Sequence, residues 1–146
     1  MKRVIITFMI IIILVVPLQT NAASNYYQPP EKSDEELIMD MFFSLLLPHI
    51  KKPVMNYYSQ YLSETPLVYP YQIKILNMKR TNQYRGFIFS LEIEITPVVG
   101  PHIEVGKDHL TFTITPSNVT LDKFEHIETY ELPPNWQHIK RKQQPL

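Results

Sequence analysis

Two apolar strands lying close together in the sequence restrict the fold more than any other feature. Phe87-Ile88-Phe89-Ser90-Leu91-Glu92-Ile93-Glu94-Ile95 and Leu110-Thr111-Phe112-Thr113-Ile114-Thr115 both alternate between oily and polar residues. Side-chain direction reverses at each step of a strand. Phe87, Phe89, Leu91, Ile93 and Ile95 are therefore expected on one face, and Ser90, Glu92 and Glu94 on the other, with Ile88 the apolar exception. In the second strand Leu110, Phe112 and Ile114 point inward and the threonines outward. A sheet with one oily face needs a second layer to cover it.

Where that layer comes from is bounded by length and composition. A chain of 146 residues with a 45% hydrophobic fraction has material for one core and one domain. It has no cysteine, so neither disulfides nor thiolate chemistry contribute, and the fold rests on burial. Basic and acidic residues balance at 14 each. Loss of Lys2 and Arg3 with the leading segment would leave 12 basic against 14 acidic residues, net −2. Such a balance argues against nucleic acid as a partner. Thirteen prolines and only three glycines are unusual, and most of the prolines are expected at element ends.

Met1-Lys2-Arg3, the apolar run Val4 to Val16 ending at Pro17, and Thr20-Asn21-Ala22 have the three parts of a secretory signal peptide. The run is shorter than the roughly 20 residues of a permanent span. Residues 1–22 are expected to be removed, with cleavage after Ala22 or Ala23; the alternative is an uncleaved anchor formed by residues 4–16. Residues 23–32 form an extended lead-in.

Ser33-Asp34-Glu35-Glu36 is a helix start, with Ser33 as cap and Glu36 completing a capping box. Leu37, Ile38, Met41, Phe42, Leu45 and Leu46 follow on one broad stripe, widened by Met39 and Phe43, so a helix buried on most sides is expected. Pro48 stops or bends it. A second helical pattern runs from Pro48 to Leu62, with Ile50, Val54, Tyr57, Tyr58 and Tyr61 at spacings of three and four and a kink or late start at Pro53. The tyrosines are expected to pack their rings on the sheet with their hydroxyls at the rim, or else to form an aromatic binding strip.

Tyr71 to Arg80 reads as a first strand through Ile73 and Ile75, and the pair described above supplies the next two. A fourth begins at Val119, pairing Ile114 with Val119 and Phe112 with Leu121. Its apolar phase slips before Phe124, which predicts a bulge near Asp122 or Lys123. The predicted fold is α+β: two N-terminal helices on a four-stranded antiparallel meander, cystatin-like in outline, over residues 33–136. Residues 137–146 read as a basic tail.

Several stretches then stand in a familiar order. Asp34-Glu35-Glu36-Leu37 opens a helix and Asn56-Tyr57-Tyr58 follows. Gly100-Pro101-His102 precedes Gly106-x-Asp108-x-x-Thr111-Phe112, and Lys123-Phe124-Glu125-His126-Ile127 leads into Tyr130-Glu131-Leu132-Pro133-Pro134. Together they resemble a family of small exported proteins of spore-forming Gram-positive bacteria, domain of unknown function three-eight-eight-eight. The resemblance covers about Ser33 to Trp136 and implies export and one domain, with no activity to carry over. Pro53 departs from its pattern.

Candidate chemistry gathers in the loop between the central strands. Gly100, Pro101, His102, Asp108 and His109 are the candidate contact residues for a partner or ligand, with Glu104 beside them and His126 on the neighbouring strand. A metal site would need three such groups to converge, and no His-Glu-x-x-His motif is present. No glycine-flanked serine elbow exists. Glu92 and Glu94 share a strand face and read as a solubility device rather than a glycosidase pair. The functional expectation is a secreted, non-catalytic domain binding an envelope or extracellular partner, with no cofactor. The alternatives are a metal-dependent or other hydrolase using His102, Asp108 and His109, and a signal-anchored envelope protein.

Overall fold

The computed structural model describes residues 27–141, and the expected signal segment lies outside them. The described chain is α+β: one long helix, α1 (Asp34–Tyr58), lies against one face of a four-stranded antiparallel sheet. The Ser33 hydroxyl accepts from the Glu36 N–H at 3.1 Å, and three acids occupy the first turn. Glu36 reaches back to the Lys32 N–H, one residue before the box position.

The expected two helices are one, because α1 runs through both Pro48 and Pro53. Each internal proline removes an intrahelical hydrogen bond and costs about 3 kcal/mol. Against this, Phe43, Leu46, Ile50 and Val54 are buried on one stripe that continues past both prolines. Full burial of such side chains stabilises by about 1.5–3 kcal/mol each, so packing on the sheet holds both halves in line. The helix is not buried all round, however. Leu37, Ile38 and Met41 are exposed and Leu45 is 79% exposed, since one sheet covers only one side of a cylinder. Among the described residues no helix is long and apolar enough to cross a membrane.

The sheet comprises β1 (Lys74–Arg80), β2 (Phe89–Ile95), β5 (Gly106–Thr115) and β6 (Asn118–Thr129), in that order. Leu91, Ile93, Ile95, Leu110 and Phe112 are buried against the helix, as their alternation predicts. Phe87 is not: it is 62% exposed, because pairing of β1 with β2 ends at Arg80 and Phe89. Phe89 is half-buried, with the Arg80 guanidinium 4.8 Å above its ring. The residues before β1 make a short 3-10 turn, Pro70–Gln72, rather than strand.

The stretch between β2 and β5 contains a small hairpin, β3 (Val98–Val99) with β4 (Ile103–Glu104), absent from the sequence expectation. Gly100 turns it at φ +48°, and a Cβ there would lie 2.2 Å from the Trp136 ring, so glycine is required. Residues 137–141 of the expected basic tail belong to the fold, and residues 142–146 lie outside the described residues. Leu132, just before a 3-10 helix (Pro134–Ile139), and Ile139, the last residue of that helix, are both buried. Beyond it, Lys140 bridges to Leu62 and the Arg141 N–H donates to the Tyr61 carbonyl at 2.8 Å. The folded body thus reaches Arg141, past the expected boundary at Trp136.

Strand β6 contains two bulges. Thr111 faces Lys123 while Phe112 faces Leu121, which leaves Asp122 as the extra residue where the phase slip predicts one. The second has no sequence signal: Lys107 faces Glu128 while Asp108 faces His126, so Ile127 is extra. Bulges re-aim the side chains that follow them. Here the shift puts Thr129, rather than Glu128, on the helix side with His126, opposite Gly106.

Candidate functional site

The inner ends of β5 and β6 meet the last turns of α1 at a buried polar network. Asp108 shares strand parity with Leu110 and Phe112 and is 0% exposed. A buried carboxylate needs partners for both oxygens, and it has them. The Tyr58 hydroxyl donates to Oδ2 at 3.0 Å, and His126 Nδ1 stands 2.7 Å from Oδ1. The other ring nitrogen, Nε2, is 2.7 Å from Thr129 Oγ1. With Asp108 ionised, His126 donates through Nδ1 and Nε2 accepts from the threonine hydroxyl.

Packing fixes these groups. Tyr57 stacks on the His126 ring with centroids 4.7 Å apart, and Tyr58 meets the same ring edge-on at 6.1 Å. Gly106 makes room for this approach: a Cβ there would lie 2.5 Å from Tyr58 Oη, 2.6 Å from the Glu128 carbonyl oxygen and 3.0 Å from His126 Cε1. Burial pushes the Asp108 pKa above the ordinary carboxylate range, and hydrogen bonds from His126 and Tyr58 pull it only part of the way back. Burial likewise raises the Tyr58 hydroxyl, reinforced by the Asp108 charge. Its hydroxyl lies inside the molecule rather than at the rim expected for the tyrosines.

Above the network is a cavity of about 510 Å³, of the size that takes small organic ligands. Tyr57, Tyr61 and Tyr130 line it with Leu62, Val105 and Leu132; His126 and Thr129 face it from β6, and Lys140 and Arg141 from the chain end. The hydrogen bond from the Tyr130 N–H to the Val105 carbonyl (3.1 Å) holds one wall, and that from Arg141 Nε to the Leu62 carbonyl (2.9 Å) another.

The sequence candidates do not form one cluster. Asp108 and His109 are neighbours on one strand and therefore face opposite sides of the sheet. His109 Nε2 lies 3.1 Å from Glu94 Oε2 on the outer face, where Lys74 Nζ binds the other oxygen at 3.0 Å. Burial raises the Glu94 pKa, but hydrogen bonds from Lys74 and His109 and the charges of Lys74 and Lys107 outweigh it and leave the group below its ordinary value. Glu94 is thus the hub of an ion-pair network, not one of two paired carboxylates with Glu92. His102 belongs to the β3–β4 turn, where it stacks on Tyr69 at 5.0 Å with φ +63°. Gly100 and Pro101 shape that turn, and Glu104 is exposed on β4. The proposed use of His102, Asp108 and His109 by one hydrolytic site therefore fails on geometry. Among the described residues no three His, Asp or Glu side chains are placed to hold a metal ion.

Of the other members of the network, the sequence reading places His126 beside the loop cluster and Tyr58 among the tyrosines of a possible strip, but it does not single out Thr129. For His126 a signal existed, since it shares strand parity with Phe124. For Thr129 none did, because the Ile127 bulge is invisible in the residue pattern.

No curated protein and no solved structure matches the chain. A family model does, that of a protein of unknown function (DUF3888), over residues 38–128. That span runs from the first turns of α1 to the end of β6 and contains Tyr58, Gly106, Asp108 and His126. The chain belongs to the DUF3888 family.

Proposed function

We propose that this is an exported domain of a Gram-positive bacterium that acts by binding in the envelope or medium, with the tyrosine-lined cavity as its seat. The carrying observation is a cavity of about 510 Å³ whose lining includes Tyr58 and His126, the two side chains that hold a fully buried carboxylate. Buried polar networks of this kind hold a site rigid. The basic start and apolar run of residues 1–22 support export, and one helix on a four-stranded antiparallel sheet supports the comparison with cystatin-like outlines. The neutral fluorophore N-phenyl-1-naphthylamine tests the seat. Its emission should rise on addition of the purified protein, and Leu62→Trp, which puts a larger side chain on the cavity wall, should reduce the rise. No rise with the native protein rejects the reading. Sequencing the mature N-terminus tests export: Ala23 in the medium supports release, and Met1 in the membrane fraction supports the anchored alternative.

A second reading, acyl-ester hydrolysis, is supported by one observation. Asp108, His126 and Thr129 form a carboxylate–imidazole–hydroxyl chain with both links at 2.7 Å. In this reading Thr129 Oγ1 adds to an ester carbonyl and its proton passes to His126 Nε2 and on to the leaving alcohol. Water then cleaves the Thr129 ester. Release of p-nitrophenol from its decanoate ester above the rate with Thr129→Val would support it; equal rates end it.

A further inference from the structure

The cavity's charge runs against that of the rest of the molecule. Its walls are apolar or aromatic, and among its lining residues there is no aspartate or glutamate. Asp108, held by the lining residues Tyr58 and His126, has both oxygens hydrogen-bonded and no exposed surface. At the edge stand two fixed cations. Lys140 is held by its backbone bridge to Leu62, and Arg141 by bonds from its N–H to the Tyr61 carbonyl and from Nε to the Leu62 carbonyl. Among the described residues neither side chain forms an ion pair, whereas Lys74, Lys107 and Lys123 each have a glutamate within 4 Å. A guanidinium anchored through Nε keeps its terminal nitrogens as donors suited to a carboxylate or phosphate.

We propose that the cavity takes an amphipathic anion: one acidic headgroup held by Lys140 and Arg141, with an acyl or aromatic body among Tyr57, Tyr61, Leu62 and Leu132. The inference rests on the reading of the cavity as a ligand seat and adds the headgroup chemistry. A neutral body alone would leave the two cations unmatched. A cationic ligand would meet like charge at the mouth, while its natural counter-charge, Asp108, has no exposed surface.

The test compares decanoate with 1-decanol, identical in chain and different in head, by calorimetry on the purified protein. Decanoate is expected to bind at least about tenfold more tightly, with the advantage shrinking as salt is raised. Lys140→Met with Arg141→Met should bring the two ligands to within about twofold. Lys140→Met alone preserves both Arg141 bonds to the wall, and it should still weaken decanoate severalfold without touching decanol. Equal affinity of the native protein for acid and alcohol overturns the headgroup assignment and leaves the seat standing. Failure of all three probes overturns the seat itself. Co-sedimentation with phosphatidylglycerol vesicles and no uptake of decanoate overturns the inference in favour of an acidic lipid surface.

Discussion

Asp108 with His126 beneath the helix, and Glu94 with His109 on the solvent side, are two carboxylate–imidazole pairs set back to back on one sheet. Residues 108 and 109 are consecutive, yet they serve different pairs, because a strand turns alternate side chains to opposite faces. The same two functional groups end with opposite proton affinities. The inner carboxylate is pushed up by burial that its hydrogen bonds from His126 and Tyr58 do not cancel. The outer one is drawn down, since the Lys74 ammonium and the nearby Lys107 charge overcome a smaller burial cost. The two sites differ in burial, complete for Asp108 and partial for Glu94, and in the Lys74 ammonium that only Glu94 pairs with.

The largest expected effect comes from breaking the inner pair. Asp108→Ala leaves the buried Tyr58 hydroxyl and the partly buried His126 ring without their acceptor and should cost about 3–5 kcal/mol. Chemical denaturation measures it, and a loss comparable with that of Glu94→Ala would remove the distinction between the faces. Gly106→Ala is next, at about 1–3 kcal/mol, because the added methyl must displace Tyr58 or the β6 backbone. Tyr58→Phe removes one hydrogen bond to the buried carboxylate and should cost about 1–2 kcal/mol. Glu94→Ala should cost no more than about 1 kcal/mol, as expected for partly solvated ion pairs.

The smallest effect is the most discriminating, because its sign differs between the faces. Asp108 binds its proton more tightly folded than unfolded, so its contribution is present below the ordinary carboxylate pKa and is lost as pH rises through the raised value. Glu94 binds its proton less tightly folded, so its contribution is present above the ordinary value and is lost as pH falls through the lowered one. Thermal melts from pH 3 to pH 7 should therefore show a steeper gain with pH in Asp108→Asn and a shallower gain in Glu94→Gln. Slopes changed in the same direction would refute the contrast.

The inner face was legible in the sequence where apolar residues mark the strand phase. Leu91, Ile93, Ile95, Leu110 and Phe112 sit where alternation puts them, and the slip between Leu121 and Phe124 located the Asp122 bulge. Phase was illegible where such markers were missing or too many. From His126 to Thr129 the residues alternate plausibly in either register, which concealed the Ile127 bulge and with it Thr129. From Leu37 to Leu47 every residue of α1 but Asp40 and Ser44 is apolar, so the side that packs could not be told from the side holding Leu37 and Leu45. Proline was over-read there as a terminator, although Ile50 and Val54 bury enough surface to keep the helix whole. The candidate site was half visible: Asp108 was named, but its link to Tyr58, 50 positions earlier in the chain, exists only in three dimensions.

The bridge from Lys140 to Leu62 has a consequence for the end of the chain. The last described residues form a side of the cavity whose other sides are built from residues 57–62 and 105–132. Residues 139–141 therefore join the core, through buried Ile139, to the cavity wall, through Lys140 and Arg141, so that one short segment serves both.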